Sequence, residues 1–259
     1  PEDAKMKRTM AAFLETKYTR IDDDEKWISA LYQSKDFDAV EEHISDLLSQ
    51  SEDEAKTYEL YSLYYTLGDV KEDKEVNLKK NILDEWCSKH PESHIPWLVR
   101  GNFYIFYAWH LRGSGWAKEV AKEAWPKFHA MLEQAKADLE KSYRLNSKDP
   151  NSSCFLLIVA RGLSLPREEM EEYFKNSIAS CPWHIGSHWM KLEYLKAKWQ
   201  GSWEEMHGFA TDCLRFSEQY PFLGLVMVEA LEEIHHWGSK KNENYLGRSD
   251  VWPTIENLY

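Results

Sequence analysis

The sequence predicts an all-α fold built from stacked helix pairs. Three observations carry the prediction. Apolar residues recur at steps of three and four along most of the chain, the spacing of one helical face. Glycine and proline are sparse, 11 and 9 in 259 residues, and no stretch alternates as a half-buried strand would. Four prolines each close one amphipathic pattern and open another: Lys89-His90-Pro91, Lys148-Asp149-Pro150, Ser180-Cys181-Pro182 and Gln219-Tyr220-Pro221. A helix rarely runs through the residue before a proline, and proline suits the first turn of the next helix.

Taken in order, Met6–Tyr18 is the first expected helix, with Met10, Phe13 and Leu14 on one side. Trp27, Ile28 and Leu31 mark a second. After the turn Lys35–Ala39, the residues Phe37, Val40, Ile44, Leu47 and Leu48 mark its partner. Glu52–Leu67 follows, stopped by Gly68, and then Glu72–Ser88, closed by Pro91. Residues 95–111 are apolar nearly all round, which places that helix in the middle of the molecule. It ends at the turn Arg112-Gly113-Ser114-Gly115. The stripe Ala121, Trp125, Phe128, Leu132, Ala135, Leu139 and Tyr143 then predicts a long helix over 117–145, which Pro126 kinks or relieves of its first turns. Ser152–Ser164 pairs with Arg167–Ser180, and Trp183–Lys198 with Ser202–Gln219. Ser202 and Glu205 have capping-box spacing. Phe222–Trp237 comes last, with Gly238 as its C-cap.

From Pro150 to Pro182 is 32 residues and from Pro182 to Pro221 is 39, around the roughly 34-residue tetratricopeptide unit. The expected architecture is therefore a degenerate tetratricopeptide-like array, an α-α superhelix. It forms a single domain over residues 1–255: N-terminal pairs over 1–90, the central and long helices over 91–150, C-terminal pairs over 151–238 and a tail over 239–255. Glu256-Asn257-Leu258-Tyr259 resembles a protease-site remnant of an expression tag and is set aside.

Acidic residues outnumber Lys plus Arg by 44 to 32, which argues against nucleic acid or an anionic membrane as partner. The excess serves solubility, or complements a basic partner. The longest apolar run, Cys154–Ala160, is too short for a bilayer. Cys87, Cys154, Cys181 and Cys213 stand apart in helical contexts. That suits a reducing compartment, although their even number leaves two disulfides open.

The residues offer few candidates for chemistry. His184 and His188 lie one helical turn apart with Cys181 nearby, a weak zinc-ligand set lacking a fourth ligand. Arg112-Gly113-Ser114-Gly115 could cradle an anion at a helix start, but no GxxxxGK[ST] accompanies it. Asn151-Ser152-Ser153 matches a glycosylation sequon and reads more simply as a helix N-cap. Asp22–Glu25 and Glu168-Glu169 suit helix starts, and His235-His236 a helix C-terminus. No motif implies a cofactor, and none of the hydrolase or protease signatures is present. Arg100-Gly101 and Arg161-Gly162 follow their prolines by similar distances, on first helices of their pairs. The arginine would fork onto a bound carboxylate or an internal acid, and the glycine would admit a neighbouring helix.

Trp97, Arg100-Gly101, Trp109, Arg112-Gly113-Ser114-Gly115, Leu145–Pro150 and Lys198–Ser202, in this order, resemble a bacterial tetratricopeptide-like family catalogued as a domain of unknown function. The resemblance spans about residues 25–238, with Gln200 where that family usually has glycine. It implies an all-helical scaffold in a bacterial protein and no catalytic residues. The bacterial cytoplasm is the favoured compartment, or the periplasm if a leader has been removed.

The function expected from these readings is non-enzymatic: a scaffold that binds a protein or peptide in a concave helical groove. The expected groove residues are Arg100, Tyr104, Arg112, Arg161, His188, Trp199 and Trp203. A toxin-neutralising immunity protein is the sharper alternative. A metal-dependent hydrolase using Cys181, His184 and His188 is the more distant one.

Overall fold

The computed structural model describes residues 32, 34–70, 73–241, 245 and 247–249. The expected helix Met6–Tyr18, the helix marked by Trp27, Ile28 and Leu31, the acidic run Asp22–Glu25 and residues 256–259 lie outside the described residues. Among the described residues the regular elements are all helical: α1 (Phe37–Ser49), α2 (Glu54–Gly68), α3 (Asp73–Lys89), α4 (Ile95–Arg112), α5 (Ala124–Leu145), α6 (Pro150–Leu163), α7 (Arg167–Ser180), α8 (Ile185–Tyr194), α9 (Trp203–Leu214) and α10 (Gly224–Lys241). Short 3-10 turns occupy Ala117–Glu119 and Pro221–Leu223. The chain divides into two compact units, a larger one ending at Met190 and a smaller one starting at Lys191.

In the larger unit the helix starts follow local chemistry. Asp36 caps α1 by accepting from the Ala39 N–H, and Asp53 caps α2 by accepting from Ala55 and Lys56. Phe37, Val40, Ile44 and Leu47 form the buried stripe of α1, and Phe37 stacks on Trp86 of α3 at 5.2 Å. Pro126 stands in the first turn of α5, where its missing N–H costs no helical bond, so the stripe loses Ala121 to the preceding loop. Asn151 is not the cap expected of it: Asp149 caps α6, and Asn151, Ser152 and Ser153 are buried inside the first turn. The folded chain has no room for a glycan on the fully buried Asn151.

Helix α5 packs between α4 and α6. Two glycines set this close approach, as expected of the Arg-Gly pairs. A Cβ on Gly101 would stand 2.7 Å from Leu139 Cγ, and one on Gly162 would stand 2.5 Å from Leu132 Cδ1, both residues of α5. Gly101→Ala is therefore expected to cost about 1–3 kcal/mol, as overpacking does, read as a lower urea midpoint.

A repeat emerges that the prolines conceal. Ser142 and Ser177, Asn146 and Cys181, Asp149 and His184, and Ser152 and Ser187 are each 35 positions apart. They hold matching places. Asn146 and Cys181 are the C-caps of α5 and α7, with nearly equal backbone angles (φ −149, ψ 94 and φ −145, ψ 90). Ser142 Oγ meets Ser152 Oγ at 2.8 Å, and Ser177 Oγ meets Ser187 Oγ at 2.5 Å. Pro150 is the first residue of its helix, whereas Pro182 lies in the turn before α8, which is why proline spacing understates the period.

In the smaller unit α9 packs on α10, with Met206, Ala210, Cys213, Val226, Met227 and Ala230 buried. Ser202 caps α9 by accepting from the Glu205 N–H, as its spacing predicts. Gly238 does not end the last helix, which continues to Lys241. The buried Lys196 ammonium pairs with Glu233 at 2.9 Å and Glu193 at 3.0 Å. No described helix is long and apolar enough to cross a membrane.

Candidate binding surface

Two sets of polar side chains need assigning in the larger unit, one buried and one at the surface. The buried set links the starts of successive helices. Asp149 Oδ2 accepts from Tyr64 Oη (2.7 Å) and His94 Nε2 (3.1 Å), and its Oδ1 accepts from the backbone and side-chain nitrogens of Asn151 (both 2.9 Å). Asn151 Oδ1 accepts from His184 Nε2 at 3.2 Å. The Ser187 amide donates to His184 Nδ1, which assigns the proton to Nε2. Ser187 Oγ lies 2.8 Å from Nδ1. His94, Asp149 and His184 thus stand at the starts of α4, α6 and α8 and are joined into one chain.

Burial alone would raise the Asp149 carboxyl. Hydrogen bonds from His94, Asn151 and Tyr64 outweigh it and hold the carboxyl below its ordinary range. Burial pushes the Tyr64 phenol well up, and the Asp149 charge adds to that. Burial drops His184 to about 3, so the ring is neutral. Ser187, His184 and Asn151 follow the order of a nucleophilic triad, yet all three are sealed from solvent, so no substrate atom reaches them.

The weak zinc candidates Cys181, His184 and His188 do not assemble into a ligand set. Both His184 nitrogens are engaged within the chain, and His188 Nδ1 donates to the His184 carbonyl at 3.0 Å. Burial pushes the Cys181 thiol up to about 12, away from the thiolate a metal needs. No cluster of three or more His, Cys, Asp or Glu fit to hold a metal occurs among the described residues. All four cysteines are buried free thiols, so the disulfide option falls.

The expected groove residues separate onto opposite faces. Arg100 Nε and Nη2 fork onto Asp138 at 2.7 and 2.8 Å, and Nη1 donates to Asp84 at 2.9 Å. Asp138 belongs to α5 and Asp84 to α3, so this arginine points at the second helices and its fork is filled by the chain's own acids. Tyr104, one turn further on, is buried on the same side. His188 is buried against the edge of Phe174 of α7 at 5.2 Å. These three do not line an open face. On α4, Phe106 and Trp109 lie about half a turn of the helix away from Arg100 and Tyr104.

That other face carries Arg112 and Arg161. Tyr58 and Tyr61 of α2 are buried on it: Tyr61 stacks on Phe155 of α6 (5.7 Å) and meets the His184 ring (5.9 Å), and Tyr58 meets Trp189 (6.0 Å). Burial raises both phenols. Beyond them the face comes to the surface. Tyr65 is 43% exposed and stands edge-on to Phe106 at 4.5 Å. Next along α4, the Trp109 ring is met by two guanidiniums, Arg161 at 5.4 Å and Arg112 at 5.3 Å, and Arg112 also lies 5.5 Å from the Trp125 ring. The result is an alternating row Arg161, Trp109, Arg112, Trp125 beside an exposed tyrosine.

The glycine turn after α4 is a structural turn, not an anion cradle at a helix start. It precedes only the three-residue turn Ala117–Glu119, and the Trp116 N–H there is taken by Glu119 Oε2 at 3.0 Å. Instead the turn serves Arg112, whose Nη1 donates to the Gly113 and Gly115 carbonyls at 3.0 and 3.1 Å. Gly113 has φ 77 and ψ 174, a region open essentially to glycine alone.

In the smaller unit Trp199 and Trp203 are half-buried, and Trp203 packs edge-on to Tyr245 at 5.7 Å. Among the described residues the exposed tryptophan is another one, Trp116 at 54%. Its neighbours Gly115 and Ala117 give no apolar periodicity, and the lack of that pattern is the signal that marks it as a loop residue.

A family model described as Domain of unknown function (DUF4034) matches residues 25–167, more than half of the chain. The matched stretch covers α1–α6 and stops short of Lys198–Ser202. No curated protein and no solved structure matches the chain significantly.

Proposed function

The chain belongs to that family of domains of unknown function, and on this premise we propose that it is a non-enzymatic scaffold that binds a protein or peptide segment. The segment lies across the exposed ends of α2, α4 and α6. The carrying observation is the surface row of Tyr65, Phe106, Trp109 and Arg112, with Arg161 stacked on the same indole. Rigid aromatics beside arginine are the side chains that dominate binding energy at protein interfaces. The burial of Ser187, His184 and Asn151 supports a structural role for them over a catalytic one. We read the helix pairs as a degenerate tetratricopeptide-like array. The 35-residue offset between matched caps and serine pairs supports that reading, being close to the roughly 34-residue unit.

A photo-crosslinking residue at position 65, in the full chain exposed to lysate of the native host, is expected to trap a discrete protein. The same residue at Leu78, which is 65% exposed on α3, is expected not to trap it. Equal labelling from both positions, or none from position 65, contradicts the assignment of this face.

A further inference from the structure

We propose that Arg112 reads a carboxylate, so that the segment bound at the α4–α5 turn is an acidic peptide. The inference rests on the binding reading above and names the chemistry of the partner. The chain as a whole is strongly acidic, with a formal charge of −12, yet among the described residues no carboxylate pairs with Arg112. Glu119, seven residues on, holds the Trp116 N–H, and Asp73 of α3, which reaches α4, meets His110 at 2.7 Å.

The guanidinium is also positioned before anything binds. Two backbone carbonyls hold Nη1, and the Trp109 and Trp125 rings lie 5.3 and 5.5 Å from the guanidinium carbon. Nε and Nη2 keep three N–H donors without a protein acceptor among the described residues. A fork held this way loses little freedom when a carboxylate docks on it bidentately. Gly113 makes the arrangement possible, because its positive φ brings the Gly113 and Gly115 carbonyls back over Arg112. The exposed Trp116, four residues on, offers apolar area to a side chain next to the acid. Distant acids of the chain do not prevent this, since charges separated by more than about 8 Å are screened at physiological salt.

The test is calorimetric titration of the full chain with a capped hexapeptide of alternating glutamate and leucine. The same peptide with glutamine for glutamate and inorganic phosphate serve as comparisons. The glutamate peptide is expected to bind saturably, and the glutamine peptide at least about tenfold more weakly, as loss of a charge-assisted fork implies. Arg112→Gln is expected to erase that difference, Arg112→Lys to restore it only in part, and Gly113→Ala to weaken binding with the helix content unchanged. Equal binding of both peptides, no saturable binding of the glutamate peptide, or unchanged selectivity in Arg112→Gln overturns the proposal. So does phosphate that binds as tightly as the glutamate peptide and displaces it, which would make the site a general oxyanion site. Because crosslinking at position 65 of the parent chain reports contact whatever the charge of the partner, its persistence in the parent would leave the binding face standing while the acidic assignment falls.

Discussion

Asp149→Ala is expected to lower the unfolding free energy of the larger unit by about 3–5 kcal/mol at pH 7, the range for removing one partner of a buried charged network. The carboxylate is fully buried and accepts from four donors, on Tyr64, His94 and Asn151. Alanine leaves the Tyr64 hydroxyl and the Asn151 side-chain nitrogen without an acceptor and removes the cap of α6. Against a typical stability of 5–15 kcal/mol, that is a large fraction of the total. Asp149→Asn keeps the size and part of the capping and should fall between the two. Urea unfolding followed by helix circular dichroism measures it, and a loss below about 1 kcal/mol would mean that the network carries no net stability. The sign with pH follows from the depressed carboxyl. Its contribution is complete above the unfolded aspartate value of about 3.9 and is lost as pH falls below it.

The second large effect belongs to His184 and lies at milder acidity. Burial drops the ring to about 3 in the folded chain from an ordinary 6.5. Below pH 6.5 the unfolded chain therefore takes up a proton that the folded chain refuses until about pH 3. Stability from this group is intact above pH 6.5 and falls by about 1.4 kcal/mol per pH unit through that window, on the order of 5 kcal/mol in all. Between pH 6.5 and 4.5 the effect is separate from that of Asp149. His184→Gln, which keeps a donor toward Asn151, is expected to be less stable at pH 7 but to lose about one proton of pH dependence in that window. Parallel stability curves for the two proteins from pH 7 to 4.5 would show that the ring titrates normally.

The elements that were legible in the sequence are those with a polar face and a local stop signal. Arg167–Ser180 matches the observed α7 because Glu168 and Glu169 favour its start and the following turn ends it. The direction in which α4 faces was not legible. Ten of its residues are buried, so apolar periodicity does not distinguish the side of Arg100 and Tyr104 from the side of Phe106 and Trp109. Arg100 and Arg161 look alike in sequence, each before a glycine, and both glycines do admit α5. Only the packing shows that one arginine turns toward Asp138 and the other toward Trp109. The 35-residue repeat was hidden for a related reason. Its matched residues are chemically unlike, Asp149 against His184 and Asn146 against Cys181, because a carboxylate and an imidazole nitrogen can each accept a helix-start N–H.

The central claim is that the buried polar chain maintains the fold while the surface row of aromatics and arginine binds a partner. The most direct test measures both properties on one variant, Arg112→Gln carrying the crosslinking residue at position 65. The expected result is a loss of only about 1–2 kcal/mol relative to the parent, for the carbonyl bonds and ring contacts that a half-buried Arg112 gives up, together with loss of the trapped partner. A variant that unfolds like Asp149→Ala, or one that traps the partner as well as the parent does, would contradict it.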